Sequence, residues 1–179
     1  MLAAASSLVA SLRMQAPSKR DAAALFAKVV EEQIPDESAV AAWTAFLRAH
    51  ASLMRRLDAD LRRQTGAGLN EFDVLATLAM AGGALRMTDL AERAYSSRSG
   101  MTRRVDHLVS MGFLSRTSDG ADGRSVVVAM TDKGVSRLSE LAPAHMRGIQ
   151  ELFVARLRPG ELDTLRRALK KVTPAASFG

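Results

Sequence analysis

The sequence predicts a mainly helical fold carrying one small β-hairpin, and three observations predict it. Apolar residues recur at helical spacing through long segments toward both ends of the chain. Two short helical patterns lie side by side within residues 87–112, MTDLAERAYSSRSGMTRRVDHLVSMG. Directly after them come two strand-like segments around a run of turn formers. Two helices followed at once by a hairpin describe a winged helix-turn-helix, framed here by long N- and C-terminal helices.

The opening residues, MLAAASSLVASLRM, are mildly apolar, with no basic residue before Arg13. They lack the charged beginning of a secretory signal, and the expectation is a frayed leader ahead of a truer start at Met14. Residues 18–33 read as a helix with Ser18 as its N-cap, Asp21 in its first turn, and Leu25, Phe26, Val29 and Val30 as its apolar face. Pro35 ends it, and residues 35–38 read as a linker. A long helix over 40–65 follows, in which Trp43, Leu47, His50, Met54, Leu57 and Leu61 step by four and three. Such a seam packs against other helices. His50 on it is read as a packed or interface histidine, with a ligand contact as the alternative. Gly66 and Gly68 are expected to stop the helix by positive φ.

Asn70 is read as the cap of the next helix, with Asp73 as a side-chain partner of its start and Phe72, Leu75, Ala76 and Leu78 on its buried face. Gly82-Gly83 ends it, residues 84–86 read as a short extended segment, and Thr88 is read as the cap of the first helix of the pair. That helix turns Leu90 and Ala91 inward. The second turns Met101, Val105, Leu108 and Val109 inward, and Gly112 stops it. Residues 113–117 and 124–130 read as strands around the turn at 118–123. Thr131 caps a helix striped by Leu138, Leu141, His145, Ile149 and Leu152, with a kink expected at Pro143. Pro159 opens a final helix lined by Leu162, Leu165, Leu169 and Val172. The terminal seams carry more apolar length than a winged core of this size covers, so a two-fold partner is expected to bury the surplus.

The 179 residues suffice for one domain with appendages, and the net charge of +6 points to an anionic partner. With no cysteine there are no disulfides or thiolate metal sites, which fits a reducing cytoplasm. Three histidines, at 50, 107 and 145, argue against an imidazole zinc site. No stretch reaches the roughly 18 apolar residues of a membrane span. A Gly-rich phosphate loop, a nucleophile elbow and a cluster of His with carboxylates are all missing from the sequence, so neither an enzyme nor a cofactor is expected.

The run Leu108 to Gly112, Arg116, Asp122-Gly123-Arg124 and Thr131 to Gly134 resembles, in order and spacing, the MarR family of bacterial transcription regulators. Its pattern is a recognition helix ending in Leu-x-x-x-Gly, a strand with Arg, an Asp-x-Arg wing and a Leu-Thr-x-x-Gly helix start. Met130 replaces the usual Leu, a swap that conserves volume. The likeness covers about residues 40–172. It implies a homodimer built from the first and last helices, with recognition helices in successive major grooves of duplex DNA and wings in the flanking minor grooves. It further implies regulation by a small, often aromatic or phenolic ligand. The organisation expected is a leader and extra helix over 1–35, dimerisation helices over 36–66 and 132–173, the winged domain over 67–131, and a tail over 174–179.

A short helix with an apolar back and an Arg/Ser/Thr front suits a major groove. Arg98, Arg103 and Arg104 are expected to meet phosphates or guanine edges, and Ser97, Ser99 and Thr102 to donate to phosphates or bases. A solvated basic face is the plain alternative. Arg124 would enter the minor groove with Asp122 holding its guanidinium, or the two form an ion pair that stabilises the turn. Arg104, near the middle of its helix, has a second reading as a pocket wall. In the urate-responsive branch of the family an Asp and an Arg at the positions of Asp73 and Arg104 belong to a ligand pocket. That branch adds a Trp on its extra N-terminal helix, whereas the one Trp here is Trp43 on the next helix. The expectation is therefore an anionic aromatic or urate-like ligand near Asp73, Arg104 and Trp43, with a structural Asp–Arg pair as the alternative. A winged-helix module for protein–protein contacts is the rival function, and the basic front argues against it.

Overall fold

The computed structural model describes residues 19–34, 36–94, 96–119 and 125–173. The expected leader, the Ser18 cap, Pro35, the turn at 120–123 with Asp122, Arg124, and the tail at 174–179 lie outside the described residues. Contacts divide the chain into two units, residues 1–50 and residues 51–179.

In the first unit, α1 (Lys19–Gln33) is followed by the start of α2 (Glu37–Thr65). The expected linker is shorter than read, because Asp36 caps α2: its Oδ1 accepts from Ser38 N at 2.8 Å. The helix therefore begins three residues before position 40. Trp43, Phe46 and His50 follow one another along α2, with ring centroids 6.0 and 6.4 Å apart. Phe26 on α1 is 71% exposed and Trp43 on α2 is 57% exposed, so the first part of the α2 seam is uncovered in a single chain, whereas Leu57 and Leu61 farther along it are buried.

The second unit continues with α3 (Leu69–Met80), β1 (Ala84–Arg86), α4 (Met87–Arg93), α5 (Arg98–Ser110), β2 (Leu114–Asp119), β3 (Ser125–Met130), α6 (Asp132–Leu152) and α7 (Pro159–Val172). Its core gathers Leu61, Leu75, Leu78, Leu90, Met101, Val105, Leu108, Val128 and Leu141, each at most 1% exposed. Burying an aliphatic side chain of this size stabilises by about 1.5–3 kcal/mol. The inward residues expected on α4, Leu90 and Ala91, are both buried. On α6, Leu141 is buried and the helix runs unbroken past Pro143.

The sheet is antiparallel with strand order β1-β3-β2. The segment read only as extended is a third strand, pairing Ala84, Leu85 and Arg86 with Ala129, Val128 and Val127. The hairpin pairs Leu114 with Met130 and Thr117 with Val127. β3 is thus the central strand, and its Val128 side chain is fully buried.

Two expected caps are corrected. Asn70 does not cap α3. Gly68 is the N-cap residue, and the Leu69 N–H donates to Asp58 Oδ1 on α2 at 2.8 Å. The Arg62 guanidinium, and then that N–H, hold the Asp58 carboxyl below its usual range. Neither Glu71 nor Asp73 caps the start of α3: Glu71, in its first turn, accepts from Arg137 Nε on α6 at 2.7 Å. Thr88 likewise caps nothing. α4 follows Arg86 directly without a side-chain cap, and Thr88 donates to Asp89 instead. Gly66 has the positive φ expected of it, 75°, whereas Gly68 is extended at −95°.

Thr131 does cap α6, its Oγ1 accepting from Gly134 N at 3.1 Å. Gly134 is there because the chain crosses itself: a Cβ at this position would lie 2.2 Å from the Phe113 carbonyl oxygen. Backbone, unlike a flexible side chain, cannot swing aside. Gly134→Ala is expected to cost about 2 kcal/mol and to lower the melting temperature by about 4–8 °C, measured by circular dichroism. An unchanged melting temperature would contradict the crossing.

Candidate nucleic-acid interface and adjoining pocket

Helix α5 is fixed at both ends. Ser97 is its N-cap, with Oγ accepting from Gly100 N at 3.2 Å. At its other end the chain reverses through Gly112 at φ 76°, with Phe113 N bonded to Leu108 O and Gly112 N to Val109 O, both at 2.9 Å. This double bond pattern needs the left-handed residue that glycine supplies. Lys133 Nζ donates to Met111 O at 2.8 Å and lies 5.1 Å from the centre of the Phe113 ring, adding positive charge where helix carbonyls are unpaired.

Met101 and Val105 are fully buried and Leu108 nearly so, which turns the opposite side of α5 to solvent. Ser97, Arg98, Ser99, Thr102 and Arg103 all lie on that exposed side. Thr102 needs a correction in chemistry. Its Oγ1 donates to Arg98 O at 2.9 Å, so its hydroxyl offers lone pairs outward and not a proton. Arg104 departs from the exposed set, because it is half-buried.

One device was not anticipated. Arg116 on β2 donates through Nη1 to Asp106 Oδ1 on α5, and through Nη2 to Thr102 O at 3.4 Å. Asp106 and Arg116 are ten positions apart, and neither forms a helix-spaced pair that would have marked them. An exposed pair of this kind contributes at most about 1 kcal/mol, so its importance lies in the angle between helix and wing.

Residues of α2, α3 and α6 line a half-open cleft of about 320 Å³, whose wall includes Leu53, Leu57, Asp73, His145, Ile149 and Phe153. The volume lies within the usual range of small-molecule sites, roughly 300–1,000 Å³. Asp73 is an exposed residue at the rim of the cleft; partial loss of hydration there pushes its carboxyl pKa up, while the nearby charge of Arg104 pulls it down and Asp58 adds to the rise. The pairing of Asp73 with Arg104 is thus electrostatic. His145 packs against Phe72 with ring centroids 4.1 Å apart and planes tilted by 35°, and its Nδ1 is buried without a hydrogen-bond partner. Burial pushes its pKa down. Trp43 belongs to the other unit, where its ring adjoins Phe46.

A buried-backed helix with a basic front, preceded by α4 and followed by a hairpin whose β3 also pairs with β1, defines a winged helix-turn-helix protein. Residues 65–125 match the sequence pattern of the MarR family. The chain is 33% identical over 141 residues to the uncharacterized HTH-type transcriptional regulator YkoM of Bacillus subtilis, covering 79% of this chain and 88% of that one. Among solved structures, the MarR family regulator Sco3205 from Streptomyces coelicolor, in complex with DNA, superposes with a TM-score of 0.72 at 26% identity, covering 80% of this chain and 92% of that one. AbsC, a MarR family regulator of the same organism, gives 0.70 at 25% identity, covering 76% and 93%. The chain belongs to the MarR family and is a transcriptional regulator. Among the described residues, no helix is long and apolar enough to cross a membrane.

His145 gives a pH prediction. A histidine whose folded pKa is depressed contributes stability fully above its ordinary value, about 6.5, and loses it as pH falls through the folded value. The melting temperature of the wild type should therefore fall, relative to that of His145→Leu, between pH 8 and pH 5.5. Parallel melting curves in calorimetry would contradict a neutral buried imidazole.

Proposed function

We propose that the chain is a repressor that binds a pseudo-palindromic operator as a homodimer, with α5 in the major groove and the wing at the flanking minor groove. The observation that carries this reading is the division of α5. Its back is locked in the core, and its solvent face presents Arg98 and Arg103 among Ser97, Ser99 and Thr102. Guanidinium groups suit guanine edges and phosphates, and hydroxyls complete the polar front. Asp122 and Arg124 would form the wing tip, with Arg124 in the minor groove. The relative Sco3205, crystallised with DNA, supports the reading.

The homodimer rests on the exposed apolar residues Phe26, Trp43, Phe46 and Leu47 in the first unit and Val172 in the second. A second copy is the economical cover for such surface. We assign the cavity at Asp73 to a small apolar or aromatic ligand that releases DNA. A ligand has this effect only if it binds the conformation unfit for DNA more tightly. Arg104 connects the two sites, because it lies on α5 and acts electrostatically on Asp73.

A gel shift with the DNA upstream of the protein's own gene, across a salt series, tests the reading. Binding should weaken steeply with salt and exceed that for random DNA. Arg103→Ala should weaken specific binding about ten-fold, and should lower the salt slope by about one if Arg103 contacts phosphate. Equal affinity for random DNA, or an unaltered Arg103→Ala, would favour an interaction module over a regulator.

A further inference from the structure

Most of the described ion pairs join neighbours on one helix. Arg137 on α6 instead reaches Glu71 on α3, 66 positions away, and both side chains are largely out of water, at 19% and 12% exposure. The same guanidinium donates through Nη1 to Glu140 Oε2 at 3.0 Å and through Nη2 to the carbonyl of Thr65 at 3.3 Å. Its central carbon lies 5.9 Å from the centre of the buried Phe113 ring. Phe113 directly follows Gly112, where α5 reverses, and its carbonyl accepts from Thr131 N at 3.1 Å. One side chain thus meets the end of α2, the first turn of α3 and the residue that leads out of α5.

A pair so placed is a poor device for stability alone. Taking two ions out of water costs several kcal/mol, roughly, and apolar residues of the same size often stabilise as well or better. What the guanidinium adds is direction, because its donors are fixed in one plane and three acceptors must be in place together. Apolar surfaces can slide past one another with little loss, and this contact cannot. Its location gives that direction a use. Thr65 is the last residue of α2, and Gly66 then turns the chain at φ 75°, with nothing within 4 Å of the place a Cβ would take. A glycine with open space around it resists bending little. Asp58 braces this joint through the N–H of Leu69, and Arg137 braces it through the carbonyl of Thr65.

We infer that Arg137 is a positioning residue for operator recognition: by bracing the joint between α2 and α3, it holds α5 at the setting that fits two half-sites of fixed separation. The inference rests on the reading of the chain as a homodimer with two copies of α5 on one operator. In that reading the long helices carry the two-fold contact and the winged lobe carries α5, so the joint between them sets the distance between recognition helices. One base pair more or less moves a half-site by about 3.4 Å along the DNA and about a tenth of a turn around it. A lobe held rigidly rejects such a change, and a lobe free to swing accepts it. Arg137 acts without touching DNA, since its donors are turned onto Glu71, Glu140 and Thr65.

The test uses the full chain and three duplexes: the operator protected in the DNA upstream of the gene, and the same operator with one base pair added or removed midway between its half-sites. Wild type should bind either altered duplex at least about ten-fold more weakly. Arg137→Lys keeps the charge without the fork, and Glu71→Gln keeps the shape without the charge. Each should melt cooperatively and bind all three duplexes within about three-fold of one another. Where only one variant melts cooperatively, its ratios decide. A pair with a structural role alone would weaken binding to the three duplexes equally, and a wild-type preference retained in this way overturns the inference. So does loss of cooperative melting in both variants, which would make the pair a requirement of folding itself. A wild type that binds the three duplexes equally, or binds none, overturns the two-copy reading and the inference with it.

Discussion

The complete burial of Met101, Val105 and Leu108 is the constraint on which the rest depends. These three residues occupy one side of α5, and no rotation of the helix can expose other residues without bringing them into water. A quarter turn would cost the burial of at least two of them, at about 1.5–3 kcal/mol each. The helical period then decides that Arg98, Ser99, Thr102 and Arg103 face solvent. The end structures complete the restraint, since Ser97 holds the first turn and the reversal at Gly112 holds the last. Arg116, reaching from β2 to Asp106, ties the wing to the same helix. What faces solvent on α5 is therefore set by what faces the core.

The frame around α5 is built from contacts distant in sequence. Asp58 on α2 takes the first N–H of α3, and Arg137 on α6 bonds both Glu71 of α3 and the carbonyl of Thr65 at the end of α2. The crossing at Gly134 brings the start of α6 against Phe113, directly after α5. The helices that wall the cavity are thus locked to one another at their ends. Asp73 lies part-way along α3, where the charge of Arg104 on α5 acts on its carboxyl.

Much of this was legible in the sequence, and what was not has physical reasons. Regular apolar spacing located α2, α5 and α6, because burial of one face leaves a period that can be read directly. Thr131 was legible as a cap because its partner, Gly134, lies three residues on. Asn70 and Thr88 were misread for the converse reason. They are good capping types beside helix starts, but Asp58 serves one start from eleven residues away and the other has no side-chain cap. β1 was seen only as extended, since three residues carry no period and its partner strand lies more than forty residues on. Gly68 has the extended backbone that any residue adopts, and a Cβ there would meet only the movable ends of the Arg62 and Asp58 side chains, so its type alone misleads about φ. At the candidate site, the basic front was legible from composition and spacing. The half-buried state of Arg104, the Asp106–Arg116 tie and the unpartnered imidazole of His145 depend on packing between elements, which no local pattern encodes.

The central claim is that two copies of α5 read one operator. Hydroxyl-radical and guanine-methylation footprinting of the intergenic DNA beside the gene tests it most directly. The account predicts two protected major-groove segments, their centres separated by about one helical turn, roughly 34 Å, with hypersensitive or protected minor-groove positions on the outer flanks. A single protected segment, protection without periodicity, or none at all would contradict it.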